Sequence, residues 1–309
     1  MPNPSEAVSE LGGILPPVTM PFDKDGKLVY SAIREQIDFM VASGVRGVVV
    51  GGSTGEGHTL EREEFANAIR HAHEAVAGRV PLLAGLIVNS TQEAIDRVRM
   101  LKGLNIAALQ ITPVYYLFKP DADSTVEHFR RIYEETQIPV LIYNVIPWNY
   151  LSVELMVRIM REVKGVVGMK QSSGDLKSVS DLLGAVGNTN LVLSGIDALL
   201  YPAFTLGAHG AITALTAAVP SVCVKLFDLV KAGDHKAALD LHNRINALWN
   251  VMSHDNLPAC VKYVQHRQGL QLFHPRAPMQ RVTDQQKAAI DGALAGLPLD
   301  TQVGKRRAA

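Results

Sequence analysis

The segment Val166-Val167-Gly168-Met169-Lys170 decides the fold of this chain. It is a short run of β-branched and aliphatic residues that ends in a lysine. Such an uninterrupted run is typical of a strand in a parallel sheet that helices cover. Similar runs recur along the chain. The other predicted strands are residues 14–20, 47–50, 81–86, 107–111, 139–143, 191–195 and 210–213.

Amphipathic segments separate these runs. In residues 31–43 the apolar Ile33, Ile37 and Met40 recur at helical spacing. Comparable patterns predict helices at residues 61–77, 91–102, 124–137, 152–161 and 175–185. Eight strand–helix units in series predict a (β/α)8 TIM barrel. A doubly wound sheet is the alternative, and the number of units disfavours it.

The end of the chain is only helical, with patterns at residues 220–231, 234–252, 257–268 and 283–295. We therefore predict an α/β protein with a (β/α)8 barrel over residues 11–232 and a C-terminal helical extension packed on it over residues 233–298. Residues 1–10 and 299–309 are predicted to be flexible ends. A chain of 309 residues buries enough surface to need neither disulfides nor metals for stability.

Composition excludes several classes of protein. Hydrophobic residues make up 47%, which is too much for a disordered chain. Thirty Lys and Arg balance thirty Asp and Glu, so a broad grip on nucleic acid or a membrane surface is not expected. No signal peptide or membrane span is visible, and Cys223 and Cys260 form no CxxC pair. We expect a cytoplasmic protein.

A glycine-rich stretch, Gly51-Gly52-Ser53-Thr54-Gly55-Glu56-Gly57, follows the second predicted strand, and Thr59 is the predicted N-cap of the next helix. The stretch lacks the lysine of a P-loop and the spacing of a dinucleotide fingerprint. It formally matches the G-x-S-x-G nucleophile elbow of hydrolases, but that elbow leads straight into a helix. A plain turn is another interpretation. We favour a cradle for a small anion, in which Ser53 and Thr54 face a carboxylate.

Lys170 is the strongest candidate for chemistry. With a period of two residues, Lys170, Gly168 and Val166 share one face of the strand. A lysine at a strand end commonly extends to solvent. The functional alternative is that Lys170 points into the barrel mouth, where an amine partly removed from water can attack a ketone.

Two tyrosines accompany this lysine. Tyr143 closes the preceding strand and could transfer protons to a carbinolamine, although alone it would suit a core edge. Tyr115 follows the fourth strand and could extend the relay or pack in an interface. The candidate residues all follow the carboxyl ends of predicted strands, where barrel enzymes place their chemistry. They are Ser53, Thr54, Tyr115, Tyr143, Lys170 and Gly195.

Several ordered motifs resemble those of the dihydrodipicolinate synthase / N-acetylneuraminate lyase family. They are GGSTGE (51–56), TPVYY (112–116), YNVIP (143–147) and GMKQSSGDL (168–176). The resemblance implies a (β/α)8 barrel that assembles as a homotetramer or homodimer. It also implies pyruvate or another 2-oxo acid bound covalently as a lysine Schiff base, with no metal or other cofactor.

The resemblance also implies roles for individual residues. Lys170 would form the Schiff base and Tyr143 would transfer protons. Gly52, Ser53 and Thr54 would hold the substrate carboxylate. Tyr115 would be the relay tyrosine that members often lend across a subunit contact, and the backbone of Gly195 would lie near the keto acid.

The chain departs from both branches of that family. The synthase branch has an arginine five residues beyond the catalytic tyrosine, where this chain has Trp148. The sialic acid lyase branch has a Glu and a Ser where this chain has Ala198 and Ala214. Trp148 and Phe118 therefore favour a less polar or shorter substrate than a nine-carbon sugar.

The sequence thus favours a metal-independent lyase of the aldolase type that releases pyruvate from, or condenses it with, an aldehyde. Dehydration of a 2-keto-3-deoxy sugar acid and 4-hydroxy-tetrahydrodipicolinate synthesis are alternatives with the same imine chemistry. A serine hydrolase acting through Ser53 and a non-catalytic keto-acid-binding protein are alternatives from other classes.

Overall fold

A computed structural model describes residues 9–299 of the chain. It contains one sheet of eight parallel strands. The strands are β1 (Gly13–Ile14), β2 (Val48–Val50), β3 (Leu82–Leu86), β4 (Ala108–Ile111), β5 (Val140–Asn144), β6 (Val166–Gln171), β7 (Leu191–Ser194) and β8 (Gly210–Ala211). Each predicted strand is present, and the first and last are shorter than predicted.

The sheet closes on itself. Its hydrogen-bonded order is β1-β8-β7-β6-β5-β4-β3-β2. The chain just after β1 then meets β2, because Val18 N–H donates to Val49 O at 2.8 Å and Val49 N–H donates to Pro16 O at 3.0 Å. The predicted (β/α)8 barrel is confirmed.

Helices surround the barrel and continue past it. They are α1 (Ile33–Ala42), α2 (Arg62–Val76), α3 (Thr91–Arg99), α4 (Ala122–Thr136), α5 (Val153–Glu162), α6 (Leu176–Val186), α7 (Leu200–Thr205), α8 (Ala214–Ala218), α9 (Pro220–Lys231), α10 (His235–Met252), α11 (Leu257–Arg267) and α12 (Asp284–Leu294). The predicted N-cap of α2 is wrong. Glu61 caps this helix in a reciprocal capping box with Glu64, and Thr59 lies in a separate 3-10 turn.

The core has two layers, one inside the barrel and one between the sheet and its helices. The interior layer consists of Leu11, Leu15, Val49, Leu83, Ala108, Leu141, Val167, Leu191, Leu193 and Ile212. The predicted alternation of β6 is wrong at one position, because Val167 faces the interior and Val166 packs outward. The register shifts between Val140 and Leu141 of β5, so β6 carries one extra residue there.

One buried ion pair and one partly buried ion pair tie the helical extension to the barrel. Lys262 of α11 donates to Glu56 at 2.5 Å and to the His274 carbonyl at 2.7 Å. Arg276 makes two hydrogen bonds to Glu64 of α2. The boundary at residue 232 stays a prediction.

Parts of the predicted flexible ends, residues 1–8 and 300–309, lie outside the described residues. Ser9 and Glu10 are described, and their carbonyls accept hydrogen bonds from the Arg46 guanidinium at 2.8 and 3.3 Å. Within residues 9–299, no helix combines the length and the apolar character that crossing a bilayer requires.

Candidate active site

Lys170 and Tyr143 are direct neighbours on adjoining strands. They pair in the β5–β6 register, and Lys170 Nζ lies 3.7 Å from the centroid of the Tyr143 ring. Each residue is only 5% exposed. Lys170 is therefore not the solvent-directed lysine that strand ends commonly carry.

The Lys170 amine has no fixed partner. Within residues 9–299, no carboxylate lies within 4 Å of Nζ and no hydrogen bond holds it. A side chain at Gly195 would approach Lys170 Cε to 2.9 Å and overlap Ser172 Oγ at 1.9 Å. Gly195 thus keeps open the space that the lysine side chain occupies. The side chain is buried, and its amine is unpaired and close to a phenol.

The glycine-rich stretch folds back tightly beside this pair. Gly51 adopts φ +89°, and a Cβ on Gly57 would lie 1.9 Å from the Gly51 carbonyl oxygen. The fold-back brings Ser53 Oγ to 3.2 Å from the Tyr143 hydroxyl, with Thr54 half-buried next to it. Ser53 and Tyr143 therefore form a two-hydroxyl chain that could pass a proton.

The same stretch does not form a nucleophile elbow. After Ser53 the chain makes turns and a 3-10 helix at Gly57–Thr59, and α2 begins only at Arg62. The polar neighbour of Ser53 Oγ is the phenol of Tyr143, whereas a hydrolase would need a histidine there. The structure therefore disfavours the hydrolase alternative.

Tyr115 lies at the rim of the mouth, half-buried. Its N–H donates to Asn89 Oδ1 at 3.0 Å, and its carbonyl accepts from Trp148 Nε1 at 2.7 Å. Among residues 9–299, no hydrogen bond joins its hydroxyl to Tyr143 or Ser53. Within one chain the structure brings Lys170, Tyr143 and Ser53 together, but it does not bring Tyr115 into their relay.

Several large hydrophobic side chains around Tyr115 are exposed to solvent. Tyr116, Leu117, Phe118 and Trp148 are 69%, 70%, 83% and 60% exposed. An exposed cluster of this kind is typical of an interaction surface. It lies on the loops after β4 and β5, next to the mouth.

The sequence analysis missed Asp197, which the structure buries near Lys170. Burial raises the pKa of Asp197 to about 6. Hydrogen bonds from the Leu215 N–H and the Thr213 side chain, together with the charge of Lys170, act in the opposite direction and lower it. Its Oδ1 accepts the Leu215 N–H at 2.5 Å. Asp197 could have been found from the sequence, because it lies two residues beyond Gly195 and also follows the predicted seventh strand.

Three further polar side chains near the mouth were missed. The oxygens of Gln110, Thr112 and Ser172 are buried without a hydrogen-bond partner. Unpaired buried oxygens are uncommon in folded proteins and point to a role beyond packing. Among residues 9–299, no three His, Cys, Asp or Glu side chains converge as they would around a metal ion.

Comparisons with known proteins agree with this geometry. The model of the dihydrodipicolinate synthetase family matches residues 10–296. A 4-hydroxy-tetrahydrodipicolinate synthase from Methylobacterium radiotolerans is 33% identical over 296 residues, which cover 94% of this chain and 98% of the relative.

Solved structures give the same result. Dihydrodipicolinate synthase from Aquifex aeolicus superposes with a TM-score of 0.85 at 29% identity, covering 94% of this chain and 99% of that one. A prophage protein of the dihydrodipicolinic acid synthase family from E. coli K12, solved in complex with pyruvate, gives 0.88 at 25% identity, with coverage of 94% and 99%. Because the family model and these relatives span nearly the whole chain, this protein belongs to the dihydrodipicolinate synthetase family, whose members are lyases of the class I aldolase type.

Proposed function

We propose that this protein holds a 2-oxo acid as a Schiff base on Lys170 and makes or breaks a carbon–carbon bond between pyruvate and an aldehyde. The observation that carries the proposal is the Lys170 amine itself. It ends a buried side chain, is unpaired, and lies against the ring of a tyrosine whose hydroxyl meets Ser53. Relatives named as synthases and a related fold solved with pyruvate support it.

The first step forms the imine. The neutral Lys170 amine attacks C2 of the ketone, and the carbinolamine then loses its hydroxyl as water. Tyr143 lies next to Nζ and is placed to give that hydroxyl a proton. Ser53 Oγ, 3.2 Å from the phenol, can pass protons onward.

The second step uses the protonated imine as an electron sink. The Tyr143 phenolate left by the first step takes the proton from the substrate's C4 hydroxyl, the C3–C4 bond breaks, and its electrons move into the imine. An aldehyde leaves and an enamine remains. Proton transfer from Tyr143 to C3 gives the pyruvate imine, which water hydrolyses. In the reverse direction the same steps condense pyruvate with an aldehyde.

The substrate carboxylate would lie in the cradle formed by Gly52, Ser53 and Thr54. Glycine lets the backbone approach an anion closely, and the two hydroxyls can donate to it. A carboxylate there places C2 between the cradle and Lys170. The chemistry needs no cofactor or metal, because the lysine imine supplies the electron sink.

The particular reaction depends on what binds the aldehyde half. Synthase activity is less favoured than an aldol cleavage, since Trp148 stands where the synthase branch has its arginine. Trp148 is fixed to the Tyr115 carbonyl and presents an indole at the mouth. We therefore propose a substrate with a less polar or shorter aldehyde half. Dehydration of a 2-keto-3-deoxy sugar acid is the alternative.

We propose that the protein works as a homodimer or homotetramer. The exposed cluster of Tyr116, Leu117, Phe118 and Trp148 surrounds Tyr115. A second copy seated there would cover these side chains and could bring a relay tyrosine to a neighbouring site. Cys223 and Cys260 are free and buried, which suits a reducing cytoplasm.

Borohydride reduction in the presence of pyruvate tests the proposal. The expected result is one stable adduct per chain on the peptide that carries Lys170, located by mass spectrometry. The Lys170→Ala variant is the matched control and should show no adduct while its circular dichroism matches that of the parent. Absence of an adduct in the parent, or an adduct on a different lysine, would overturn the proposal.

A substrate panel then separates the remaining candidates. An aldol lyase releases pyruvate and an aldehyde from a 4-hydroxy-2-oxo acid, and a dehydratase keeps the carbon chain and loses water. A serine hydrolase would be labelled at Ser53 by a fluorophosphonate, which we do not expect. An adduct without turnover of any substrate would indicate a non-catalytic binding protein.

A further inference from the structure

Gln110 is a polar residue in the middle of the apolar strand β4, and its side chain points into the barrel. Its neighbours in the strand, Leu109 and Ile111, pack in the outer layer of the core, and Ala108 belongs to the interior layer. Alternation along the strand therefore puts Gln110 inside, one level above Ala108. Tyr143 stands in the same relation to Leu141 on β5, the strand next to β4.

The glycine-rich stretch lies directly beside Gln110. Its register partner on β3 is Gly85, and the backbone of Gly51 and Gly52 packs onto that glycine, since a Cβ there would lie 2.8 Å from Gly51 C and from Gly52 N. A Cβ on Gly52 would lie 3.7 Å from Gln110 Nε2. The amide nitrogen is thus the end of the side chain that faces the proposed carboxylate cradle.

The hydrogen bonding of Gln110 is incomplete. The residue is 1% exposed, and its Oε1 is buried without a partner among the described residues. A glutamine kept only for structure would have both ends bonded. Gln265, also 1% exposed, shows this pattern, because its Nε2 donates to the Ala217 carbonyl and its Oε1 accepts from Thr19.

We propose that Gln110 is a substrate-positioning residue whose Nε2 donates a hydrogen bond to the carboxylate of the bound 2-oxo acid. The inference rests on the proposed function, because it assumes that the carboxylate lies at Gly52 and Ser53. Gln110 supplies a neutral donor from the barrel interior, next to Gly52 of the cradle. It fixes the carboxylate and so aims C2 at Lys170.

The test measures how borohydride trapping depends on pyruvate concentration in Gln110→Met and Gln110→Glu. Methionine keeps the volume but removes the donor, so the half-saturating concentration should rise about 10- to 100-fold. Glutamate keeps the shape but adds a negative charge beside the carboxylate, so its effect should be at least as large. The extent of trapping at saturation should change much less.

Methyl pyruvate separates positioning from packing, because it keeps the ketone and lacks the anionic carboxylate. Its half-saturating concentration should be the same in the parent and in Gln110→Met. The matched control is Gln265→Met, which should lower the melting temperature and leave the pyruvate dependence unchanged. Gln110→Met should not lower the melting temperature, since it also removes an unpaired buried oxygen.

The possible outcomes are distinct. An unchanged pyruvate dependence in Gln110→Met, or equal losses for pyruvate and methyl pyruvate, would overturn this inference alone. If pyruvate leaves no adduct on Lys170 even in the parent, the proposed function itself fails.

Discussion

Two buried lysines have opposite surroundings in this protein. Lys262 is 2% exposed, and its amine lies against the Glu56 carboxylate and the His274 carbonyl. Lys170 is 5% exposed and lies against the face of Tyr143, and among residues 9–299 no hydrogen bond or ion pair engages its amine. Burial lowers the pKa of Lys262, although Glu56 acts in the opposite direction.

The comparison separates a structural lysine from a reactive one. A buried ammonium is stable when a carboxylate and further acceptors surround it, and such an amine has no free lone pair. An amine that no carboxylate or carbonyl engages is free to meet the carbonyl carbon of a bound ketone. Both lysines are linked to the same glycine-rich stretch, Lys262 directly through Glu56 and Lys170 through Tyr143, whose hydroxyl meets Ser53.

The largest effect is expected from Lys170→Met. Turnover should fall by about 10⁴-fold or more, because no other group can form the imine. The free energy of unfolding should stay equal or rise, because a buried amine without partners is replaced by an apolar side chain. Steady-state kinetics and urea unfolding measure the two quantities. A marked loss of stability would show that Lys170 is also structural and would break the comparison.

The second-largest effect is expected from Tyr143→Phe. The ring beside Lys170 remains, but the hydroxyl that meets Ser53 is lost. We expect turnover to fall by about 10² to 10⁴-fold, which is the usual contribution of a positioned acid or base. Pyruvate should still be trapped on Lys170 after long incubation. Ser53→Ala, which removes the other hydroxyl of the chain, should show a smaller loss in the same direction.

Lys262→Met should show the opposite pattern to Lys170→Met. Glu56 would be left buried without its partner, at a cost of about 3 to 5 kcal/mol in the free energy of unfolding. The protein that remains folded should still form the adduct on Lys170. Lys287→Met is the control, since Lys287 forms an exposed pair with Asp284 and should give no measurable loss of stability. A loss below about 1 kcal/mol for Lys262→Met would contradict the structural role.

The smallest expected effect is the change with pH that Asp197 causes in the free energy of unfolding. Its pKa is raised from 3.8 to about 6 in the folded protein. Between these values the folded state holds a proton that the unfolded chain has released, so Asp197 lowers stability as pH rises from about 4 to 6. The contribution amounts to roughly 3 kcal/mol across that window. The Asp197→Asn variant should lack this pH-dependent contribution to stability.

The measurement is urea unfolding of the parent and Asp197→Asn at several pH values from 4 to 7, with the difference between the two plotted. His128 acts in the opposite direction, because burial lowers its pKa to about 4, and its effect cancels in that difference. A difference that does not vary with pH would mean that Asp197 is ionised beside Lys170. Lys170 would then have a carboxylate partner after all.

Much of the site could be predicted from the sequence. Lys170, Tyr143 and Ser53 were predicted because each follows an apolar run, and a barrel brings such positions to one rim. The bulge at Val167 could not be predicted from the sequence of β6. It exists only in the pairing of β6 with β5, in which Val167 is an extra residue without a partner, and it changes which residues of β6 face the barrel interior. Thr59 failed as an N-cap because Glu61 and Glu64 form a capping box closer to the helix.

The amino-acid order alone determined the eight strand–helix units and the residues at their ends, because hydrophobic periodicity and strand termini are local properties of the chain. Only the tertiary structure decided which of two lysines would be left without a partner. Glu56 and Lys262 are 206 positions apart, and Gln110 of β4 lies beside Gly52, which follows β2. Contacts at such separations depend on how the barrel closes, and no pattern within a short window contains them.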